Sequence, residues 1–464
     1  MTVTMAKFTL LYTIFICIVV ALVAQPPTSP SMVYILNRHG VREPRDTSSY
    51  EGGARLLSSA YDRLYRKGQH IRSLYPILSA SYNPSEIRVN SSAWERTINT
   101  AHGILAGLYN TNITMKIPVY SSPWESDFTL YNYDKCVTYD NAWSSFLQTA
   151  EWNNKVQHYA NLTSYLNSYL QPSTKITLAT IYSTWDLHWI QRNRPEVGII
   201  TKPLDDYTYN QLTEAAHWVE TVRYGSRVSG SLLGSTFLTA VKYRMDRFIA
   251  NDKTFGHKMI ISSAHYPTML SVLSSMGYVG SVSQSIPDYN SLLAFELWNT
   301  SVSSTTPSGW GVRIVYHNGD WNGVNDTSVP IALQQCTEGN DCMIDFATFW
   351  SNVAGKNLRQ WCVDCASKID MCLYYTNASA SPSGATPPSA TTTVVSTDVL
   401  ALPISTVIAV WLILGLVVVS VAMTCVFQCI SRPYHRHVDT AHPLHNLSGK
   451  QTIGTADMHD NDVL

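Results

Sequence analysis

Short apolar runs alternate with longer amphipathic stretches along most of the chain. The runs are typical of buried strands and comprise 33–36, 87–89, 258–263, 294–298 and 312–316. The amphipathic stretches have apolar residues at helical spacing and comprise 56–75, 94–108, 230–249 and 269–276. Gly68 is expected to interrupt the first of these helices. The pattern predicts an α/β fold with a central, mostly parallel sheet flanked by helices.

The middle of the chain, about residues 120–231, has few strand signals. Helical patterns rich in aromatic residues dominate it, as in 142–170 and 210–222. We therefore predict a helical cap subdomain inserted into the α/β domain.

Two apolar segments at the ends of the chain do not belong to a globular fold. Residues 1–24 contain Lys7 and then an uncharged apolar run ending in small residues, which is typical of a secretory signal peptide. An uncleaved anchor is the alternative. Residues 399–430 contain no charged residue and are long enough to form one transmembrane helix.

The flanks of this second segment predict its orientation. Arg432 and Arg436 follow it directly, which places the tail, residues 431–464, in the cytoplasm. Residues 377–398 are rich in Ser, Thr, Ala and Pro and are expected to form a stalk. The prediction is a type I membrane protein with a lumenal or extracellular domain at 25–376, in a lysosomal, endosomal or plasma membrane.

Composition supports a secreted domain and excludes some functions. The net charge of -1 gives no reason to expect nucleic-acid binding. An even number of cysteines lies between the two apolar segments, which favours three disulfides: Cys136, Cys336, Cys342, Cys362, Cys365 and Cys372. Their spacing to histidines does not suggest a metal site, and no cofactor is expected. Glycosylation sequons occur at Asn112, Asn161, Asn299, Asn325 and Asn377.

The candidate chemistry begins directly after the first strand, where Arg38-His39-Gly40 is followed by Arg42 and Pro44. Ligands of open α/β sheets bind at the carboxyl ends of strands. Two guanidinium groups beside an imidazole suit a phosphate, because each can bind its oxygens bidentately and the imidazole can attack phosphorus. A polar turn with surface arginines is the alternative.

Two later segments repeat this strand-to-helix arrangement. Ser92 and Glu95 form a capping-box pattern that predicts a helix start, so Arg96 falls in the first helical turn. An arginine there is explained if it shares an anion with the helix N-terminus, although a solvated arginine is the alternative. His265 lies between a predicted strand and a helix that begins near Pro267.

Together these segments resemble the histidine acid phosphatases. The resemblance implies that His39 becomes phosphorylated, that Arg38, Arg42, Arg96 and His265 bind the phosphate, and that no metal is needed. It also implies the disulfides Cys136–Cys365 and Cys336–Cys342, with Cys362–Cys372 as the remaining pair. Asp127 resembles an acidic position of the cap, although a turn cap explains it equally well. The resemblance places Asn90 near the site, where the family has another arginine and where Arg88 could substitute.

Tyr266 departs from the family pattern. The residue after the second histidine is usually acidic and protonates the leaving oxygen, whereas a phenol with a pKa of about 10 donates its proton reluctantly. Tyr266 could still donate, or Asp127 or Glu95 could act instead. We therefore predict an acid phosphatase of small-molecule or protein phosphomonoesters. The alternative is a surface or lysosomal protein that binds phosphate ligands without turnover. A homodimer is compatible with either function.

Overall fold

The computed structural model of the protein describes residues 29–44, 54–111, 117–198, 200–228, 230–300, 308–319, 328–333, 336, 342–353, 355 and 357–377. The predicted signal peptide, membrane span and cytoplasmic tail lie outside these residues, as does the stalk after residue 377. Within the described ranges, no helix is both long enough and apolar enough to span a membrane.

A single sheet forms the centre of the α/β domain. Its strands are β1 Met32–Arg38, β2 Ile87–Ser91, β3 Tyr120–Ser121, β4 Met259–Ala264, β5 Leu292–Asn299, β6 Trp310–His317, β7 Ser328–Pro330 and β8 Ile344–Asp345. They are arranged in the order β3-β2-β4-β1-β5-β6-β7, and β8 pairs with β6. The prediction of a central sheet flanked by helices is confirmed.

The sheet is mixed, so the prediction that it is mostly parallel is wrong. The pairs β3–β2, β2–β4 and β4–β1 are parallel, but all pairings from β1 through β5 to β8 are antiparallel. Chain connections explain the difference. A parallel pair needs a crossover of a dozen or more residues, whereas only ten residues separate the end of β5 at Asn299 from the start of β6 at Trp310.

Helices cover both faces of the sheet and form the cap. They are α1 Ala60–Leu74, α2 Glu95–Leu108, α3 Val137–Phe146, α4 Ala150–His158, α5 Ala160–Leu170, α6 Ile181–Asn193, α7 Asp206–Tyr224, α8 Gly230–Ile249, α9 Tyr266–Ser275, α10 Phe346–Asn352, α11 Leu358–Asp364 and α12 Asp370–Asn377. Alternate residues of β1 face opposite cores. Val33 and Ile35 pack with α1 and α2, while Tyr34 and Leu36 pack with α8 and α9.

Gly68 does not interrupt α1, contrary to the prediction. The helix continues through it because Gly68 lies against the backbone of α2, where an added Cβ would be 2.1 Å from the Ile104 carbonyl oxygen. On the facing helix, a Cβ at Gly107 would be 1.8 Å from the Tyr65 carbonyl oxygen. The two glycines therefore allow α1 and α2 to approach closely.

The cap helices α3 to α7 enclose a second hydrophobic core, which also includes residues from the end of the domain. Trp361, Cys362 and Cys365 of this late segment are fully buried in it. The structure links Cys136 to Cys365 and Cys362 to Cys372 there, and Cys336 to Cys342 elsewhere.

The sequons differ in their structural setting. Asn161 is exposed on α5 and Asn299 is half-buried at the end of β5, while Asn377 ends α12. Asn112 and Asn325 lie outside the described residues.

Candidate active site

The candidate site lies at the carboxyl ends of β2, β4 and β1, which are adjacent and parallel. His39 follows β1, His265 follows β4, and Arg96 lies in the first turn of the helix after β2. Backbone hydrogen bonds continue past the strand ends, since His39 N donates to the Ala264 carbonyl at 3.1 Å. The three segments chosen from the sequence therefore meet at one edge of the sheet.

His39 is 4% exposed, and its Nδ1 lies 2.8 Å from the carbonyl oxygen of Gly40. With a proton on Nδ1, this nitrogen donates to the carbonyl and the lone pair is on Nε2. Burial lowers the pKa of His39 well below its usual value, and Arg96, His265, Arg38 and Arg42 lower it further. The imidazole is therefore neutral at mildly acid pH and available as a nucleophile.

The loop that carries His39 is fixed by its backbone. Gly40 N donates to Thr100 Oγ1 at 2.9 Å, and Asn290 N donates to the His39 carbonyl at 3.3 Å. A Cβ at Gly40 would be 2.9 Å from Leu56 Cδ1 and 3.2 Å from Asn290 Oδ1. The glycine therefore fits the loop between α1 and the residues before β5.

The guanidinium of Arg38 contacts the segment that precedes β5. Its Nη1 donates to the Pro287 carbonyl at 2.6 Å, and its guanidinium carbon lies 3.6 Å from the centre of the Tyr289 ring. Its Nε and Nη2 are buried and have no hydrogen-bond partner among the described residues. Buried donors of this kind are expected to bind an anion.

The guanidinium of Arg42 forms an ion pair with a helix of the cap. Its Nη2 donates to Asp186 Oδ2 of α6 at 2.7 Å, and its Nη1 donates to the Glu43 carbonyl at 2.8 Å. Burial is the largest single effect and lowers the pKa of Arg42, but Asp186, Tyr289 and Tyr182 together outweigh it, so the pKa is raised. Its Nε is buried without a hydrogen-bond partner in the described part of the chain. Arg42 therefore keeps a donor for an anion.

Arg96 lies in the first turn of α2, as predicted, but the capping box is wrong. Trp94 is the N-cap residue and makes no side-chain cap hydrogen bond. Ser92 does not cap a backbone N–H of the helix; its Oγ lies 2.9 Å from His265 Nε2 and 2.9 Å from the side-chain oxygen Oγ1 of Thr97. Arg96 is 4% exposed, and its guanidinium carbon lies 4.9 Å from the centre of the Trp94 ring.

His265 is the N-cap residue of α9, and Tyr266 and Pro267 are its first two residues. The ring centres of His39 and His265 are 5.4 Å apart, and that of Tyr131 is 5.3 Å from His265. Pro267 is thus the second helical residue rather than the first. The helices α2 and α9 both direct their N-termini towards this edge, which favours anion binding.

The remaining acidic and polar candidates have hydrogen-bond partners near them in the chain. Asp127 Oδ1 accepts hydrogen bonds from Thr129 N and Leu130 N, which is the turn-cap alternative. Glu95 Oε1 accepts from Asn99 of its own helix. Arg88 Nε donates to Asn90 Oδ1 at 3.1 Å, and its guanidinium stacks over Tyr120 at 4.0 Å.

Sequence reasoning missed three residues near the side chains that are predicted to bind phosphate: Asp186, Tyr289 and Glu220. Tyr289 donates to Asp186 Oδ1 at 2.5 Å and stacks on Arg38. Tyr266 donates to Glu220 Oε2 of α7 at 2.6 Å. Asp186 is the one acidic residue of α6 and is buried. A single carboxylate in a helix rich in aromatic residues was therefore the feature of the sequence that could have identified Asp186.

Comparison with known proteins identifies the class of this fold and site. A family model, the histidine phosphatase superfamily (branch 2), matches residues 47–317. The chain belongs to this family. The Arg-His-Gly segment at 38–40 lies just before the matched range.

Individual relatives are distant. The lysosomal acid phosphatase of Homo sapiens is 25% identical over 285 residues, which are 54% of this chain and 65% of that protein. The chain thus spans less than two thirds of this relative's length. The lysosomal acid phosphatase of Bos taurus is 22% identical over 361 residues, 71% of this chain and 79% of that protein.

Solved structures support the fold. A phytase from Citrobacter braakii matches with a TM-score of 0.53 at 14% identity, covering 70% of this chain and 97% of that one. A phytase from Klebsiella sp. ASR1 matches with a TM-score of 0.55 at 14% identity, covering 70% and 95%.

Proposed function

We propose that the domain hydrolyses phosphate monoesters at acid pH through a phosphohistidine intermediate on His39. The observation that carries this proposal is the environment of His39, a neutral imidazole surrounded by Arg38, Arg42, Arg96 and His265. A cationic pocket of this kind attracts a phosphate, and the neutral ring can attack it.

The first step transfers the phosphoryl group to His39. Its Nε2 attacks phosphorus in line while Nδ1–H stays hydrogen-bonded to the Gly40 carbonyl. The donors of Arg38 and Arg42 that have no hydrogen-bond partner in the described ranges are suited to the phosphate oxygens. Charge stabilisation with positioning supplies most of the catalysis. The P–O bond to the leaving group breaks, and the leaving oxygen takes a proton. Water then hydrolyses the phosphohistidine and releases phosphate.

A second candidate function is supported by one residue. Tyr266 occupies the position at which the resemblance implies a carboxylic acid, so the domain could bind phosphate-bearing ligands without turning them over. General acid catalysis contributes about 10²–10⁴-fold in rate, so its loss would leave a slow enzyme or a binding protein.

The setting of the domain forms part of the proposal. Three disulfides favour an oxidising compartment, and two relatives are named as lysosomal. We place the domain on the lumenal or extracellular side of a lysosomal, endosomal or plasma membrane. A signal peptide at 1–24 and one span at 399–430 would give this topology.

Hydrolysis of p-nitrophenyl phosphate by the full chain, from about pH 4 to 7, tests the function. His39→Ala should abolish turnover, whereas His158→Ala, at an exposed position of α4, should not. Binding of orthovanadate should be measured for the same proteins. Folded wild-type protein that binds orthovanadate but has no activity above His39→Ala would reject the enzyme and support the binding protein.

A further inference from the structure

Two tyrosine rings contact the guanidinium of Arg38. Its guanidinium carbon lies 3.6 Å from the centre of the Tyr289 ring and 5.1 Å from the centre of the Tyr266 ring. Both distances lie within the range of a cation–π interaction. The three residues are buried, with 1% of Arg38, 3% of Tyr289 and 6% of Tyr266 exposed. The two rings therefore limit the positions that this guanidinium can adopt.

The hydroxyl of each tyrosine donates to a carboxylate of the cap. Tyr289 donates to Asp186 Oδ1 of α6 at 2.5 Å, and Tyr266 donates to Glu220 Oε2 of α7 at 2.6 Å. Each tyrosine thus lies between Arg38, which its ring contacts, and a cap helix, which its hydroxyl contacts. The cap thereby fixes both rings against the same arginine.

The hydrogen bond to Glu220 makes Tyr266 unsuited to protonate a leaving group. Glu220 is 2% exposed, and Arg223, three residues further along α7, interacts with it electrostatically and so favours its ionised form. If Tyr266 gave up its proton, a phenolate and a carboxylate would lie 2.6 Å apart in a buried place. A neighbouring negative charge opposes such a loss, and a phenol already holds its proton more strongly than a carboxylic acid.

The surroundings of His39 supply positive charge rather than an acid. Burial lowers the pKa of His39 most, and the charges that lower it further belong to Arg96, His265, Arg38 and Arg42. No carboxyl is among these groups of the described chain. Negative charge that develops beside His39 is therefore stabilised by cations.

We propose that the substrates are acyl phosphates and phosphate esters of acidic phenols, and that Tyr266 positions Arg38 instead of donating a proton. This inference rests on the proposed function. Nε2 of His39 forms the bond to phosphorus as the P–O bond to the leaving group breaks, and the bonding electron pair stays on the leaving oxygen. A carboxylate or an acidic phenolate departs with this charge, whereas the strongly basic alkoxide of a simple alcohol needs a proton. Water then attacks phosphorus, the P–N bond breaks, and the water proton passes to the solvent.

Four substrates separate the acidity of the leaving group from recognition of an aromatic ring. Acetyl phosphate and p-nitrophenyl phosphate release weakly basic anions, whereas phenyl phosphate and glycerol 2-phosphate do not. The rate of His39→Ala is subtracted for each substrate. For the full chain, kcat/KM should be at least about 100-fold lower for glycerol 2-phosphate than for p-nitrophenyl phosphate. Phenyl phosphate should fall between them, and acetyl phosphate should be closer to p-nitrophenyl phosphate than phenyl phosphate is.

Two substitutions separate the ring of Tyr266 from its hydroxyl. Tyr266→Phe keeps the ring, so kcat/KM should fall only a few-fold and by the same factor for all four substrates. Tyr266→Leu removes the ring, so kcat/KM should fall about tenfold, again equally for all substrates, and orthovanadate should bind about tenfold more weakly. A proton donor would behave differently, because its loss would affect glycerol 2-phosphate most.

The chain offers a matched control for loosening of the cap. Tyr159 is 3% exposed and donates to Glu214 Oε1 of α7 at 3.0 Å. This second Tyr–Glu pair lies within the cap. Tyr159→Phe and Tyr159→Leu should therefore leave both the substrate ratios and the affinity for orthovanadate unchanged.

The outcomes separate this inference from the proposed function. Similar kcat/KM values for all four substrates, or rapid cleavage of phenyl phosphate with slow cleavage of acetyl phosphate, would overturn the substrate class. A loss confined to glycerol 2-phosphate in Tyr266→Phe would identify a proton donor, and equal effects of Tyr266→Leu and Tyr159→Leu would overturn the positioning role. Absence of His39-dependent hydrolysis of every substrate would instead overturn the proposed function. If Tyr266→Leu does not fold in urea titration, Tyr266→Phe and the substrate series decide.

Discussion

Arg42 and Asp186 form a buried ion pair that joins the loop after β1 to helix α6 of the cap, with 2.7 Å between Nη2 and Oδ2. Tyr289 and Tyr182 also donate hydrogen bonds to the other oxygen of this carboxylate. One acidic side chain therefore orients the guanidinium of Arg42 and compensates its charge. If Arg42 binds phosphate as proposed, phosphate and Asp186 stabilise the same cation from two directions.

Asp186→Asn should make the stability of the domain depend on phosphate. The substitution leaves a buried guanidinium without its counter-charge, so we expect the free energy of unfolding to fall by about 3 kcal/mol. A bound anion replaces the lost charge, so saturating orthovanadate should stabilise the variant more than the wild type. Urea unfolding with and without orthovanadate measures both effects.

The control for this prediction is an exposed ion pair of the cap. Arg192 Nη1 and Asp206 Oδ1 are 2.8 Å apart, and the Asp206 side chain is 88% exposed. Asp206→Asn should cost less than about 1 kcal/mol and should not alter the response to orthovanadate. An Asp186→Asn variant that responds to orthovanadate like the wild type would contradict the shared-cation interpretation.

Ser92→Ala should weaken catalysis more than folding. Ser92 Oγ bonds His265 Nε2 at 2.9 Å and fixes the orientation of this ring. Loss of one hydrogen bond is worth about 1 kcal/mol, so kcat/KM for p-nitrophenyl phosphate should fall about fivefold. Ser91→Ala is the control, because Ser91 Oγ donates to the Ser92 carbonyl rather than to a residue of the site. Equal losses in both variants would show that the strand end, rather than His265, is affected.

The strand-to-helix segments of the site could be predicted because their signals are local. An apolar strand, a polar junction and a helix start occur together around His39, Arg96 and His265, and adjacent parallel strands bring such junctions to one edge. Ser92 shows the limit of this reasoning. Its sequence pattern favours a capping box, but in the fold a buried histidine competes for the same hydroxyl.

The residues contributed by the cap could not be predicted in the same way. Asp186 is 144 residues from Arg42, and Glu220 is 46 residues from Tyr266. Their contacts depend on how the cap helices pack over the sheet, which helical periodicity alone does not determine. The antiparallel half of the sheet was missed for a related reason, since strand direction follows from connection length rather than from strand composition.

Gly107→Ala should destabilise the domain although alanine is the better helix former. Helix propensity alone favours alanine by about 1 kcal/mol, but a Cβ at this position would be 1.8 Å from the Tyr65 carbonyl oxygen. We expect α1 and α2 to separate, with a loss of about 3 kcal/mol in the free energy of unfolding. Gly103→Ala should cost less, because its Cβ would meet only the Leu64 side chain. An increase in stability for Gly107→Ala would disprove the close approach.

Two cap histidines should make the domain less stable as the pH falls. Burial lowers the pKa of His188 and of His217 to about 4. Below an unfolded pKa of about 6.5 the unfolded chain takes up protons that the folded state refuses. The unfolding free energy should therefore fall from about pH 6.5 towards 4. The carboxyl groups of Glu86 and Asp345 have pKa values lowered to about 2. The free energy of unfolding that their ionised forms contribute is lost only at lower pH. Urea unfolding of His188→Gln with His217→Gln should show a flatter profile; an unchanged slope would contradict this assignment.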